Sequence, residues 1–279
     1  MYLSPMLLYK SDDGAFNDPN FISELKCDGF RLIYSYMEQK KLFTRHKTDI
    51  SQRFPELLAL DIPKGTVLDG EVVMMDSNGK IDFEAVIARF AVTNTDRIKI
   101  LSEMEPVSFV AFDVLVYEGE KVTNLPLYRR KELLNELIPD DTPVLSKVLS
   151  IDGNGEALFN LIKQQDLEGI VLKKKDSIYE IGKRSHSWLK IIDYKHASVI
   201  VNGYRKEEFG WLLSFEDGKY AGIMELGVPK EARKHIYQQK KIDENEKYVF
   251  IEPISVSVKY RNITKAGLLR LPSFVCFNN

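Results

Sequence analysis

The residues Glu24-Leu25-Lys26-Cys27-Asp28-Gly29-Phe30-Arg31 (ELKCDGFR) place four charged side chains around a tight Asp-Gly step, and an apolar, alternating run (Leu32, Ile33, Tyr34, Tyr36) follows at once. Alternation with a period of two marks a half-buried strand, and Asp-Gly is strong turn chemistry. A lysine at such a corner has two readings. One is a solvated side chain entering a hairpin, the usual fate of an isolated lysine. The other is a reactive amine held in a pocket. The rest of the chain has to decide between them.

The chain has 279 residues, of which 44% are hydrophobic and 29% charged. That is an ordinary globular composition, long enough for one large or two modest domains. Cys27 and Cys276 lie far apart in sequence and make neither a disulfide framework nor a cysteine metal site, which suits a reducing, intracellular (cytoplasmic) setting. The N-terminus shows no basic region followed by an apolar run, and no segment is long enough to span a bilayer, so no membrane partner is expected. Net charge is −2. Phosphate binding depends on local patches rather than totals, so this value neither demands nor excludes nucleic acid.

Apolar or alternating runs at 31–37, 67–75, 107–117, 143–149, 168–174 and 188–192 read as strands, and helical spacing recurs at 83–91, 128–138 and 155–165. Asn78-Gly79 and Glu118-Gly119 are hairpin-type turns. Many short turns imply a largely antiparallel sheet with helices packed on it. Beyond about residue 195 the texture becomes nearly all strand: five runs and one helix-like stretch, Pro229 to Lys241. That pattern fits a small barrel such as the oligonucleotide-binding (OB) type. The expectation is an α+β chain with domains at 1–195 and 196–279 and a boundary near Asp193–His196.

Charged clusters fall at strand ends or turns, where sites are usually built: Glu24/Lys26/Arg31, Arg45, Asp69/Glu71, Glu168/Lys173 and Lys190. A lysine attacks only as a neutral amine, which burial or neighbouring cations can favour. Carboxylates from separate strands can hold a hard divalent cation, and further lysines suit the spread charge of a phosphoryl group. Together these groups are what attack of an amine on a nucleotide α-phosphate requires. Singly, each is commonly a solvated surface residue.

ELKCDGFR resembles the Lys-x-Asp-Gly-x-Arg motif of the covalent nucleotidyltransferases, the superfamily of DNA ligases, RNA ligases and mRNA capping enzymes. In the family's order follow LFTRH (42–46), LDGEVV (68–73), FVAFDVL (109–115), LEGIVLKK (167–174) and SHSWLKII (185–192). The C-terminal stretches resemble the OB domain of ATP-dependent DNA ligases in particular, and the likeness covers nearly the whole chain. An RNA ligase, a guanylyltransferase and a degenerate binding homologue are the competing readings.

The resemblance implies an adenylation domain followed by an OB barrel, using ATP with Mg²⁺ or Mn²⁺. Lys26 would be the nucleophile that carries AMP, and Glu24 would accept from the adenine amino group. Arg31 and Arg45 would touch the ribose and the phosphate or nick. Glu71 would bind ribose or metal, and Glu168 metal. Phe112 would stack on adenine, although an aromatic in that strand is by default core, as Phe109 is expected to be. Lys173 and Lys190 would contact the α-phosphate, and Arg184 the 5′-phosphate of a nick. Asp69 reads as a turn residue, and the histidines form no metal-like cluster. The implied partner is nicked duplex DNA, bound by a monomer of the minimal viral or prophage type that closes its domains or uses an accessory DNA-binding protein. The stretch Lys230–Lys241 is a candidate phosphate contact or a solvated face.

Two departures stand out. The fifth motif usually has two lysines separated by one residue, whereas Ile191 and Ile192 follow Lys190 here. Lys195 is the nearest replacement in sequence. A sixth, basic motif is not present after LRLPSF. Both features put the self-adenylation step in question more than the later steps.

Overall fold

Strand Phe30–Tyr36, which follows the Asp-Gly corner, runs antiparallel to Thr66–Val73, and that strand in turn to Ser108–Tyr117. Gly29 presses against this pairing: a Cβ there would lie 2.0 Å from the Val72 carbonyl oxygen. Only glycine lets the corner approach so closely. Lys40–Thr44 and Glu120–Lys121 complete the sheet's edges, and Leu145–Lys147 adds to Ser108–Tyr117 in parallel. Glu118 and Gly119 both have positive φ, 50° and 86°, as expected of a primed hairpin turn.

A second sheet has the order Leu7–Lys10, Arg184–Ile192, Gly169–Lys174, Asn17–Leu25, Ser150–Asn154. All its pairings are antiparallel except the first. The expected helices are present as Phe83–Ala91, Leu127–Leu137 and Gly155–Gln164. Asp82 caps the first by accepting from the Ala85 amide at 3.0 Å. A further helix, Thr95–Met104, was not expected from the sequence. It buries only Ile98, so its apolar stripe is too thin to read.

This is a computed structural model, and it describes residues 1–278. The chain divides into two units, Met1–Ile192, which holds both sheets above, and Asp193 to the C-terminus. The second unit is a six-stranded, almost wholly antiparallel sheet with the order Tyr220–Met224, Trp211–Ser214, Lys195–Arg205, Tyr248–Tyr260, Lys241–Glu244, and Ser273–Phe277 pairing with Tyr248–Tyr260. A bridge between Leu226 and Ser273 joins the far ends and curls the sheet. Trp211, Val199, Val256 and Ile236 form its apolar core.

Two sequence expectations need correction in this unit. It has six strands rather than five, because the helix stops at Tyr237 and Lys241–Glu244 becomes an edge strand. The segment before Ser273 is irregular, so the last strand starts later than the apolar run suggests. The cations of the 230–241 stretch are largely engaged locally. Arg233 lies 3.8 Å from the Phe209 ring centre, Lys240 pairs with Glu252 at 2.8 Å and Lys241 with Glu244 at 2.5 Å.

Candidate active site

Register in the second sheet builds the site. Directly opposed residues share a face, and one such row runs Lys10, Lys190, Val171, Glu24. The neighbouring row pairs Trp188 with Lys173. Facing them, Phe112, Arg31 and Glu71 come from the first sheet, and a cleft with an empty volume of about 380 Å³ lies between. Glu24, Lys26, Cys27, Leu8 and Trp188 also line it.

At one end of the cleft Lys26 Nζ lies 2.7 Å from Glu168 Oε2, with side chains 18% and 2% exposed. Glu71 stands beside them, and burial raises its carboxyl to about 7 although Lys26 and Arg31 oppose the rise. Lys190 is lowered, first by burial and then by Lys26, Arg184, Lys10 and Arg45. Arg184 donates to the Leu8 carbonyl. Arg45 is exposed in the turn after Lys40–Thr44 and does not line the cleft. Lys10, which sequence reasoning did not single out, sits across from Lys190 on the adjoining strand and pairs with Asp12 at 2.5 Å. Lys195 pairs with Asp193 in the second unit.

The opposite end is buried. Glu24 takes Lys173 on Oε2 at 2.6 Å and Lys131 on Oε1. The Lys173 amine lies 3.9 Å from the Trp188 ring centre and 4.4 Å from that of Phe112. Burial lowers it to about 8, with Glu24 opposing. It is thus turned into an aromatic corner rather than toward Lys26. The Phe112 ring also carries the Arg31 guanidinium at 4.5 Å.

Arg31 is held by Asp69, with Nε and Nη2 each 2.5 Å from a carboxylate oxygen. Burial works against its charge, but Asp69 outweighs burial and keeps its pKa raised. Asp69 is therefore not a turn residue. It lies within strand Thr66–Val73, wholly buried, and also accepts from the Tyr179 hydroxyl at 2.5 Å. Phe109 is core. Burial pushes the thiol of Cys27, the neighbour of Lys26, up to about 12, so it is a poor nucleophile. Among the described residues no three or more His, Cys, Asp or Glu side chains form a metal-like group. Nor is any helix there long and apolar enough to cross a membrane.

Solved ligase structures share this architecture. A Lig E DNA ligase aligns over all of both chains with a TM-score of 0.74 at 18% identity, and the ligase domain of Mycobacterium tuberculosis LigD over 99% of this chain and 95% of that one with a TM-score of 0.61 at 24% identity. The fold is that of a nucleotidyltransferase joined to an OB domain. The family model "ATP dependent DNA ligase domain" matches residues 5–191. The "SPbeta prophage-derived DNA ligase-like protein LigB" of Bacillus subtilis is 46% identical over 98% of each chain. The bifunctional end-joining protein LigD of the same organism is 29% identical over 91% of this chain, which spans 46% of that protein. The chain belongs to the ATP-dependent DNA ligase family.

Proposed function

We propose that this ligase seals nicks in duplex DNA, with Lys26 as the residue that carries AMP. The Lys26–Glu168 contact at the mouth of the cleft carries the assignment. Lys26 must first lose a proton, and the Glu168 carboxylate is the acceptor in reach. Its nitrogen then bonds to the α-phosphorus of ATP as the bond to the pyrophosphate oxygen breaks. A 5′-phosphate oxygen next takes the α-phosphorus from Lys26. The 3′-hydroxyl finally bonds to the 5′-phosphorus and releases AMP. Positioning and charge neutralisation supply most of the acceleration in such transfers.

Lys190 and Arg184, with Lys10 beside them, form the phosphate end. Glu24 and Lys173 form the base end with Phe112, so Lys173 serves the base rather than the α-phosphate. Arg31, fixed by Asp69, presents its remaining edge to the ribose. Arg45, exposed near Lys190, is assigned to the nick. Glu71 and Glu168 fit Mg²⁺ or Mn²⁺: two carboxylates without a full protein cage suit an ion that keeps waters and substrate phosphates as its other ligands. Such an ion would neutralise phosphate charge. The unit ending at Ile192 carries this chemistry, and the second unit serves as the OB-type DNA-binding domain.

The test is incubation with α-labelled ATP and Mg²⁺ followed by a chase with singly nicked duplex DNA. A covalently labelled band that disappears as sealed DNA accumulates is expected, and Lys26→Ala should abolish it. Adenylation that persists in Lys26→Ala refutes the assignment. Label from GTP instead, or sealing of RNA alone, would move the protein to another branch of the superfamily.

A further inference from the structure

Helix Leu127–Leu137 reaches the base end of the cleft through two consecutive residues. Arg130 is wholly buried and bonds Asp113, the neighbour of Phe112, at 2.7 and 3.0 Å. It also donates to the Ser177 carbonyl at 3.0 Å. Lys131 follows, fixed in place by that anchor, and its ammonium meets Glu24 Oε1. Glu24 is thus held by one lysine from its own sheet and one from a helix outside it. Lys173 lines the cleft and Lys131 does not.

An ionised carboxylate only accepts hydrogen bonds, and its two oxygens offer about four acceptor sites. Two lysines leave room for one more donor. A purine amino group at C6 is such a donor. A carbonyl at C6 would face another acceptor, and a site built around a polar partner rejects the analogue that leaves it unmatched. The carboxylate must stay aimed at the base edge for this to work. Lys173 meets only Oε2, and the contact from Lys131 fixes the other oxygen, so the two together set the direction of the carboxylate.

We propose that Lys131 is a specificity-determining positioning residue: by pinning Glu24 Oε1 it keeps the carboxylate aimed, so that the cleft takes a 6-amino purine nucleotide over a 6-oxo one. The inference rests on the base-end assignment made above and adds the residue that enforces it. Lys131 acts through Glu24 and touches no substrate.

The test measures lysyl-nucleotide formation from α-labelled ATP and GTP for the parent protein, Lys131→Met and Lys131→Arg. In parallel it follows sealing of nicked DNA that already carries AMP on its 5′-phosphate, a step that needs no selection of free nucleotide. In Lys131→Met the ATP-to-GTP preference is expected to fall about tenfold or more, the scale of one charge-assisted hydrogen bond. The loss should appear as a higher KM for ATP, with the rate at saturating ATP within about threefold and pre-adenylated DNA sealed as before. Lys131→Arg should restore the preference. An unchanged preference in a folded Lys131→Met overturns the proposal, as does an equal loss in sealing of pre-adenylated DNA, which marks a merely structural role. If Lys131→Met does not fold, Lys131→Gln is read by the same criteria. Failure of the underlying reading looks different: Glu24→Gln would leave the preference intact, or the parent protein would take no label.

Discussion

The two units handle charge in opposite ways. In the first, Glu24, Asp69, Arg89, Asp113, Arg130 and Lys173 are buried, whereas among the described residues the only buried polar one in the second is Ser214. A buried charge is costly unless paired, and replacing a buried pair with apolar groups is often neutral or stabilising. The first unit's buried charges are therefore weak as stability devices, and those around the cleft make sense as devices for placing side chains. Asp69 fixes Arg31, Asp113 fixes the helix that carries Lys131, and Lys173 meets Glu24. The second unit has a conventional apolar core around Trp211, with its charges on the outside.

The comparison can be broken at its strongest point. Arg130→Met should cost about 3–5 kcal/mol in urea unfolding, because Asp113 is left buried without its partner. Arg130→Met combined with Asp113→Leu should recover most of that loss. Recovery would show that the pair places the helix rather than holding the unit together, and the ATP-to-GTP preference should then stay reduced despite restored stability. A double variant as unstable as the single one would contradict the positioning account.

In the second unit the corresponding test is Trp211→Ala. The indole is fully buried against Phe209, Phe274 and Phe277. Its removal should cost about 3–5 kcal/mol by loss of packing alone, and Trp211→Phe considerably less. This graded response to volume, read by denaturant unfolding, is what an apolar core predicts and an ion-pair network does not.

The same division explains what could be read from the sequence. The cleft residues Glu24, Lys26, Arg31, Glu71 and Lys173 stand close to turns or strand ends, Phe112 lies mid-strand where only the family resemblance set it apart from core, and the fold brings them together. Residues whose meaning depends on distant pairing gave no local signal. Lys131 sits in a helix beside Arg129 and Arg130, indistinguishable from a solvated basic face until Glu24 is found across from it. Lys10 precedes a Ser-Asp-Asp-Gly turn and gains its neighbour Lys190 only through a parallel pairing across most of the unit. Asp69 read as a turn because aspartate is rare inside strands. The strand tolerates it because Arg31 and Tyr179 satisfy the carboxylate. Strands Leu7–Lys10 and Asn17–Leu25 escaped notice, the second because Pro19 and two asparagines mask its alternation.

Glu71 gives the smallest and most specific effect. Its carboxyl is raised to about 7 by burial, against about 4.3 for an exposed glutamate. A carboxyl raised in the folded state favours folding fully below the unfolded value, and that contribution is lost as pH rises through the folded one. Between about pH 4.5 and 7 the charged form therefore becomes steadily more expensive to bury. Glu71→Gln removes the charge, so the variant should gain roughly 1–2 kcal/mol over the parent protein at pH 8 and little at pH 5. Thermal unfolding at the two pH values measures this directly. Activity should move the other way: if Glu71 holds Mg²⁺ it must be ionised, so the parent should need more Mg²⁺ for lysyl-AMP formation as pH drops below 7. Glu71→Gln should adenylate poorly at every pH and lose that dependence. An unchanged Mg²⁺ requirement in the variant would remove Glu71 from the metal site and leave it as a ribose contact.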